Sequence, residues 1–382
     1  MPTKKSYAEI NEKIAGGEAV VLTAEEVAEM GKEIPAEEVA RRVDVVTTAT
    51  FGPMCSSGMF INVGHTNPPI RMESATLNGV PVFTGLAAVD LYIGATECRP
   101  DEPSYGGGHI IEALIHGEDL ELVAHGKGTD CYPLKDIRTK INKNNINEMI
   151  MFNPRNSYQN YPAAANSTSK IKYTYMGSLL PGLGNVNYST SGELSPLLND
   201  PDLRTIGIGT RIFLGGTTGY VSWAGTQFKT RGARNEFDIP EFNAATLAVI
   251  GDARFMSTEF IKAAYYEKYG VSIFIGIGIP IPILDADMAK RVMIRNEQIT
   301  TRILDYGIPD KPELCKINYA ELFSGQITLR GKRVKTASLS SIYKARIIAD
   351  LLKDQIRRGE FMLTEPLSLF PKNTSLHSLD IR

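Results

Sequence analysis

The stretch Thr246–Met293, TLAVIGDARFMSTEFIKAAYYEKYGVSIFIGIGIPIPILDADMAKRVM, is the one whose reading decides the fold. Thr246–Ile250 is a short apolar run and predicts a strand. Phe255–Tyr269 predicts a helix, Val271–Ile279 a second strand and Asp285–Met293 a second helix. The apolar run Val271–Leu284 contains 14 residues and two prolines, Pro280 and Pro282. A membrane-spanning helix needs about 20 residues, so this run reads as a buried strand with a proline-bent exit. Alternating β and α segments point to an α/β (mixed α+β) chain, with partly parallel mixed sheets covered by helices and glycine-rich turns carrying the site.

Upstream, residues 5–43 read as helical: Tyr7, Ile10 and Ile14 share one face, Thr23 and Glu26 are spaced as a capping box, and Pro35 opens a third helix. Asp44–Thr50 is a β-branched strand that empties into Gly52-Pro53 and Cys55-Ser56-Ser57-Gly58. Asn78-Gly79 marks a hairpin. Leu91–Ala95 predicts a strand that leads to Cys98. Tyr105-Gly106-Gly107-Gly108-His109 opens a helix, and the N–H groups of Gly107 and Gly108 suit a carboxylate, although a plain tight turn explains them equally well. Leu120–Ala124 and Ile137–Ile141 predict strands, and Asn144 caps a helix through Ile150.

Asn153–Ser169 reads as a long polar connection rich in asparagine and tyrosine. Within it Arg155 has the planar fork that suits a carboxylate, or it braces the loop's own carbonyls. Residues 171–230 hold short strands between glycine turns. No GxGxxG before a helix and no GxxxxGK[ST] occurs, so nucleotide binding has no motif behind it. Near the end, Arg330-Gly331-Lys332 turns a hairpin and Ser340–Arg358 forms a helix.

At 382 residues the chain is long enough for two or three domain-sized units of about 150 residues. A net charge of −2 leaves no basic footprint for nucleic acid and no polybasic arm for a membrane. Met1–Leu22 has no continuous apolar core of a signal peptide, so a soluble, cytoplasmic protein is expected. The four cysteines, at 55, 98, 131 and 315, form no CxxC pair, which disfavours a zinc ribbon or thioredoxin motif. The five histidines show no ligand spacing either.

The chemistry is expected in His125-Gly126-Lys127-Gly128-Thr129-Asp130-Cys131-Tyr132-Pro133. Glycines 126 and 128 permit positive φ and a concave run of N–H groups, and Lys127 adds charge, all of which suit a thiolate at Cys131. A small buried thiol is the competing account. His125 is near enough in sequence for a Cys–His pair.

Seven stretches, in order, carry a resemblance: GPMCSSGMFINVGH, YGGGHIIEALI, GTDCYP, NPRNSYQNY, TYMGSLLP, IGIGTRIFLGG and YKARIIADLL. Together, over about residues 6–368, they resemble the homocysteine-biosynthesis sulfur-incorporation family, the L-aspartate semialdehyde sulfurtransferases of methanogenic archaea and related anaerobes. The resemblance implies one sulfurtransferase-type unit over 1–382, with subdomains near 1–170 and 171–382 and no CBS or ferredoxin domain. It implies reductive sulfur insertion into L-aspartate semialdehyde, with Cys131 carrying a persulfide or bound sulfide and Cys55 resolving it. Sulfide and a ferredoxin-type electron donor are the implied partners, and a homo-oligomer is compatible with it.

Arg155, Gly107, Gly108, Lys127 and Thr129 are the expected substrate contacts. A second version places Cys55, Cys98 and Cys131 together around a [4Fe–4S] cluster with one open iron. A different class, a non-catalytic sulfur carrier or iron–sulfur scaffold, would load sulfur without turning over the aldehyde.

Overall fold

The strand Gly270–Pro282 is the spine of the molecule. A computed structural model describes residues 4–242 and 245–380; residues 1–3 and 381–382, the two ends of the expected unit, lie outside the described residues. One edge of the spine pairs antiparallel with Val45–Pro53, from Val45 opposite Pro282 to Pro53 opposite Phe274. The other edge is shared by Ile261–Tyr266 and Arg211–Leu214. Pro280 and Pro282 lie beyond both of those neighbours, where a missing N–H breaks no ladder bond. The strand therefore runs through the prolines instead of bending away before them.

The helix expected over Phe255–Tyr269 is not formed. A single 3₁₀ turn, Ala253–Phe255, leads to the strand Ile261–Tyr266, which folds back on the spine as a hairpin. Apolar residues here satisfy a helical period, but the free edge of the spine offers backbone partners that an isolated helix could not match. Leu247–Asp252 pairs antiparallel with its neighbours as well, so the β–α alternation read from this stretch is replaced by a meander. The helix expected from Asn144 is likewise the strand Glu148–Asn156: Met149 and Met151 point into the core while Ile150 and Phe152 alternate outward.

The resulting ten-stranded sheet runs in the order Val21–Thr23, Val45–Pro53, Gly270–Pro282, Arg211–Leu214, Thr217–Ala224, Leu247–Asp252, Glu148–Asn156, Gly58–Asn62, Asp90–Gly94, with Ile261–Tyr266 off this path. Val45–Pro53 and Gly58–Asn62 are six places apart in that order, yet only residues 54–57 join them. On a flat sheet six spacings would be about 29 Å, whereas the link from residue 53 to 58 spans about 18 Å at most. The sheet must curl back on itself. Its inner face forms the main core with Met59, Met149, Met151, Val249, Ile275 and Ile279, each fully buried.

Two helices close the curled sheet. Ile342–Arg357 packs where Gly276 and Gly278 leave room: a Cβ at Gly276 would lie 2.7 Å from the Ile348 side chain, and one at Gly278 3.0 Å. The Gly-Ile-Gly pattern of the spine is thus a seat for a helix. Gly107–His116 lies across the other end and stops at Gly117, whose φ of 95° is a left-handed cap.

Parallel pairing is found chiefly in a six-stranded second sheet, where Ala163–Ala165 runs parallel to Thr300–Asp305 and Asn185–Tyr188 parallel to Lys332–Ser338. The molecule is mixed α+β with several mixed sheets. Strands from both sides of residue 170 share the ten-stranded sheet, so no boundary between sheets falls there. No helix among the described residues is long and apolar enough to cross a membrane.

Candidate active site

Where the end of the curled sheet meets the second sheet there is a cavity of about 340 Å³. That lies within the range of about 300–1,000 Å³ typical of small-ligand pockets. The turn after Val45–Pro53 places Cys55 in its wall. Ser57 holds this turn, with both its N–H (3.0 Å) and its hydroxyl (2.6 Å) donating to the Met54 carbonyl. Met54 N–H donates to the spine at Ile273 O, 2.7 Å. These bonds fix the thiol, whose Sγ lies 3.2 Å from the buried Ser272 hydroxyl.

Arg155 enters the same cavity from the last turn of Glu148–Asn156. No Asp, Glu or Lys lines the cavity, so among the described residues Arg155 is its one permanent cation. Its Nε is buried without a hydrogen-bond partner. Thr190 Oγ1, from the segment after Asn185–Tyr188, is also buried, unpartnered and part of the lining. Buried polar atoms are nearly always paired, so unpaired ones converging on a cavity mark a place built for a polar ligand.

Phenols complete the wall. Burial first, and then the facing Cys55 sulfur, push the Tyr269 hydroxyl up to about 12. Burial also raises Tyr158, with Arg155 opposing the shift and Cys55 adding to it. Both rings stay protonated at neutral pH and line the same cavity as the sulfur.

Cys131 is elsewhere. It is exposed, on the loop between Leu120–His125 and Asp136–Ile141, and does not line this cavity. Of the two glycines there, Gly128 has positive φ (74°), while Gly126 serves close packing, its Cβ position lying 2.4 Å from Arg71 O. Lys127 pairs with Glu73 at 3.0 Å, and Thr129 closes a local turn, exchanging backbone bonds with Tyr132 and accepting from its N–H through Oγ1. His125 Nδ1 is engaged by Asp136 at 2.6 Å. Neither Lys127 nor Thr129 is a contact of the Cys55 cavity.

Gly107 and Gly108 also have another duty. Their N–H groups donate to Glu97 O (2.7 Å) and Ala95 O (2.9 Å), so neither is free for a carboxylate. Both are buried, and a Cβ on Gly108 would lie 2.4 Å from Ser272 O, which makes this glycine a spacer beneath the partner of Cys55. Cys98 sits in the small hairpin of Cys98–Arg99 and Glu102–Gly106, off the cavity. Among the described residues no three of His, Cys, Asp and Glu are grouped to hold a metal, so Cys55, Cys98 and Cys131 do not fit as ligands of one cluster. Of the sequence-predicted residues, the structure brings Cys55 and Arg155 together. Thr190 and Tyr269 have no local signature; the aromatic content of NPRNSYQNY was the available signal for Tyr158 and Tyr161.

The profile described as "Homocysteine biosynthesis enzyme, sulfur-incorporation" matches residues 19–363. The chain belongs to this family. Among its members, the L-aspartate semialdehyde sulfurtransferase of Methanocaldococcus jannaschii is 50% identical over 379 residues, covering 94% of this chain and 72% of the relative. The protein of the same name from Methanosarcina acetivorans is 46% identical over 379 residues, covering 98% of this chain and 74% of the relative. No solved structure matches the chain. For this sulfur-incorporation family, the described fold therefore supplies a cavity in which a thiol and an unpartnered guanidinium meet.

Proposed function

We propose that the chain is an L-aspartate semialdehyde sulfurtransferase that forms L-homocysteine in the Cys55 cavity. The observation that carries this reading is the meeting of Cys55 and Arg155 in one cavity that has no acidic side chain to neutralise the guanidinium. The substrate has the matching groups: a carboxylate for Arg155 and an aldehyde carbon for sulfur.

In the proposed sequence, sulfane sulfur loads the exposed Cys131 and passes by thiol–persulfide exchange to Cys55. The terminal sulfur of the Cys55 persulfide adds to the aldehyde carbon, and the carbonyl oxygen takes a proton. Two electrons and two protons then cleave the S–S bond, returning the Cys55 thiol and a hydroxythiol. Loss of water leaves a C=S bond, which two more electrons and two protons convert to CH₂–SH. Free sulfide in place of persulfide removes the first reduction. The electrons come from an external iron–sulfur donor protein of the ferredoxin type.

The test is homocysteine formation by the purified chain with semialdehyde and a strong reductant, using either a persulfide donor or free sulfide. Cys55→Ser and Cys131→Ser are each expected to abolish product with the persulfide donor, and free sulfide, which adds to the aldehyde without a cysteine persulfide, is expected to bypass both. Normal turnover by Cys55→Ser with the persulfide donor would overturn the assignment. Sulfur loading without product in the parent protein would instead identify a sulfur carrier.

A further inference from the structure

The Cys55 cavity has a neighbour of about 340 Å³ whose lining includes Tyr306, Asp310, Lys311 and Glu313, and Tyr161 and Tyr175 line both. Three hydroxyls join them in sequence: Tyr161 Oη lies 2.8 Å from Tyr175 Oη, which lies 2.9 Å from Tyr306 Oη. The three phenols come from separate segments, just before Ala163–Ala165, in the turn between Lys172–Thr174 and Gly177–Leu179, and just after Thr300–Asp305. Lys311 Nζ stands over the Tyr306 ring at 4.3 Å.

We propose that Tyr161, Tyr175 and Tyr306 form a proton conduit from the Asp310–Lys311–Glu313 cavity to the Cys55 cavity. The inference rests on the sulfurtransferase reading, whose reductive steps consume protons at the substrate carbon, oxygen and sulfur. Apart from hydroxyls and the thiol itself, the Cys55 cavity has no side chain able to supply them: among the described residues no carboxyl, imidazole or ammonium lines it, and a guanidinium is not a general acid. Its neighbour is lined by Asp310, Lys311 and Glu313, all exposed to water.

A hydroxyl both donates and accepts, so three in a row can pass a proton by a concerted shift. Burial raises Tyr161 and Tyr306 far above neutrality, Tyr161 with added opposition from Tyr306 and Tyr306 with added opposition from Tyr175. The conduit therefore works without a free phenolate. Phenols yield electrons only to strong oxidants, so this row carries protons while the reductant's electrons enter by another route.

The test uses Tyr175→Phe and Tyr306→Phe, which keep the rings and remove the hydroxyls. Expected are a fall in kcat of about 100-fold or more, the lower end of the range for loss of acid–base assistance, an unchanged KM for the semialdehyde, and a larger solvent deuterium isotope effect. Imidazole is expected to restore Tyr306→Phe. Parent-like kcat and isotope effect in both variants, or a loss that imidazole leaves untouched, would overturn the conduit. If the parent chain makes no homocysteine, it is the functional reading that fails; the conduit is then judged by NMR of the Tyr175 hydroxyl proton. Exchange of that proton with water in the parent that slows in Tyr306→Phe supports the conduit, and a proton already isolated from water in the parent refutes it.

Discussion

Replacing Arg155 separates a ligand-binding role from a bracing one. Its Nε is buried without a hydrogen-bond partner and, among the described residues, no carboxylate lines its cavity, so the half-buried guanidinium faces the cavity without an anion. Arg155→Met removes that cation and keeps much of the side-chain volume. A hydrogen bond to a charged group contributes about 1.5–3 kcal/mol, and each 1.4 kcal/mol is about tenfold in affinity. The expected loss in kcat/KM for the semialdehyde is therefore about 10–100-fold. Arg155→Lys keeps the charge but loses the fork, and should fall between. Stability should be little affected: the variant loses no intramolecular partner of Nε, so Tm is expected to hold.

Steady-state kinetics at varied semialdehyde, with thermal melts of the same preparations, reads both quantities. Succinate, a four-carbon dicarboxylate, should raise Tm in the parent and not in Arg155→Met, by mass action on the folded state. Parent-like kcat/KM in Arg155→Met, or a loss of more than about 2 kcal/mol of stability, would refute the reasoning, because the latter is the mark of an arginine bracing its own loop.

Two further outcomes follow from the same geometry. Gly108→Ala places a Cβ 2.4 Å from Ser272 O, so destabilisation of roughly 1–3 kcal/mol and an altered rate of Cys55 alkylation are expected; parent-like values of both would contradict the spacer role. Burial pushes Glu193 up from 4.5 to about 7. A carboxyl that binds its proton more tightly when folded loses stability as pH rises between those two values, with the full penalty above the higher one. Glu193→Gln should therefore stabilise by on the order of 2 kcal/mol at pH 8 and make little difference at pH 4, as read by denaturant melts; an equal effect at both would refute it.

Elements governed by nearest neighbours were legible in the chain. The capping box at Thr23 and Glu26, the Asn78-Gly79 hairpin and the helix closed by Gly117 all formed, because each is stabilised by contacts within a few residues, and the β-branched strand after Asp44 formed on local propensity although its partners are distant. The family is legible too, since an ordered set of short motifs survives without reference to distance. The spine's partners are not: Ile261–Tyr266 has a pattern that serves helix or strand, and only the open edge of Gly270–Pro282 selects the strand.

The site divides along the same line. GTDCYP advertises a reactive sulfur through local composition, yet folding leaves Cys131 exposed on a loop whose glycine, lysine and threonine serve the loop itself. Cys55, Arg155, Thr190 and Tyr269 are far apart along the chain and meet in one cavity only because the sheet curls and a second sheet closes over its end. Local pattern chose the residue types and the turns; long-range strand pairing and burial decided which thiol faces the cation.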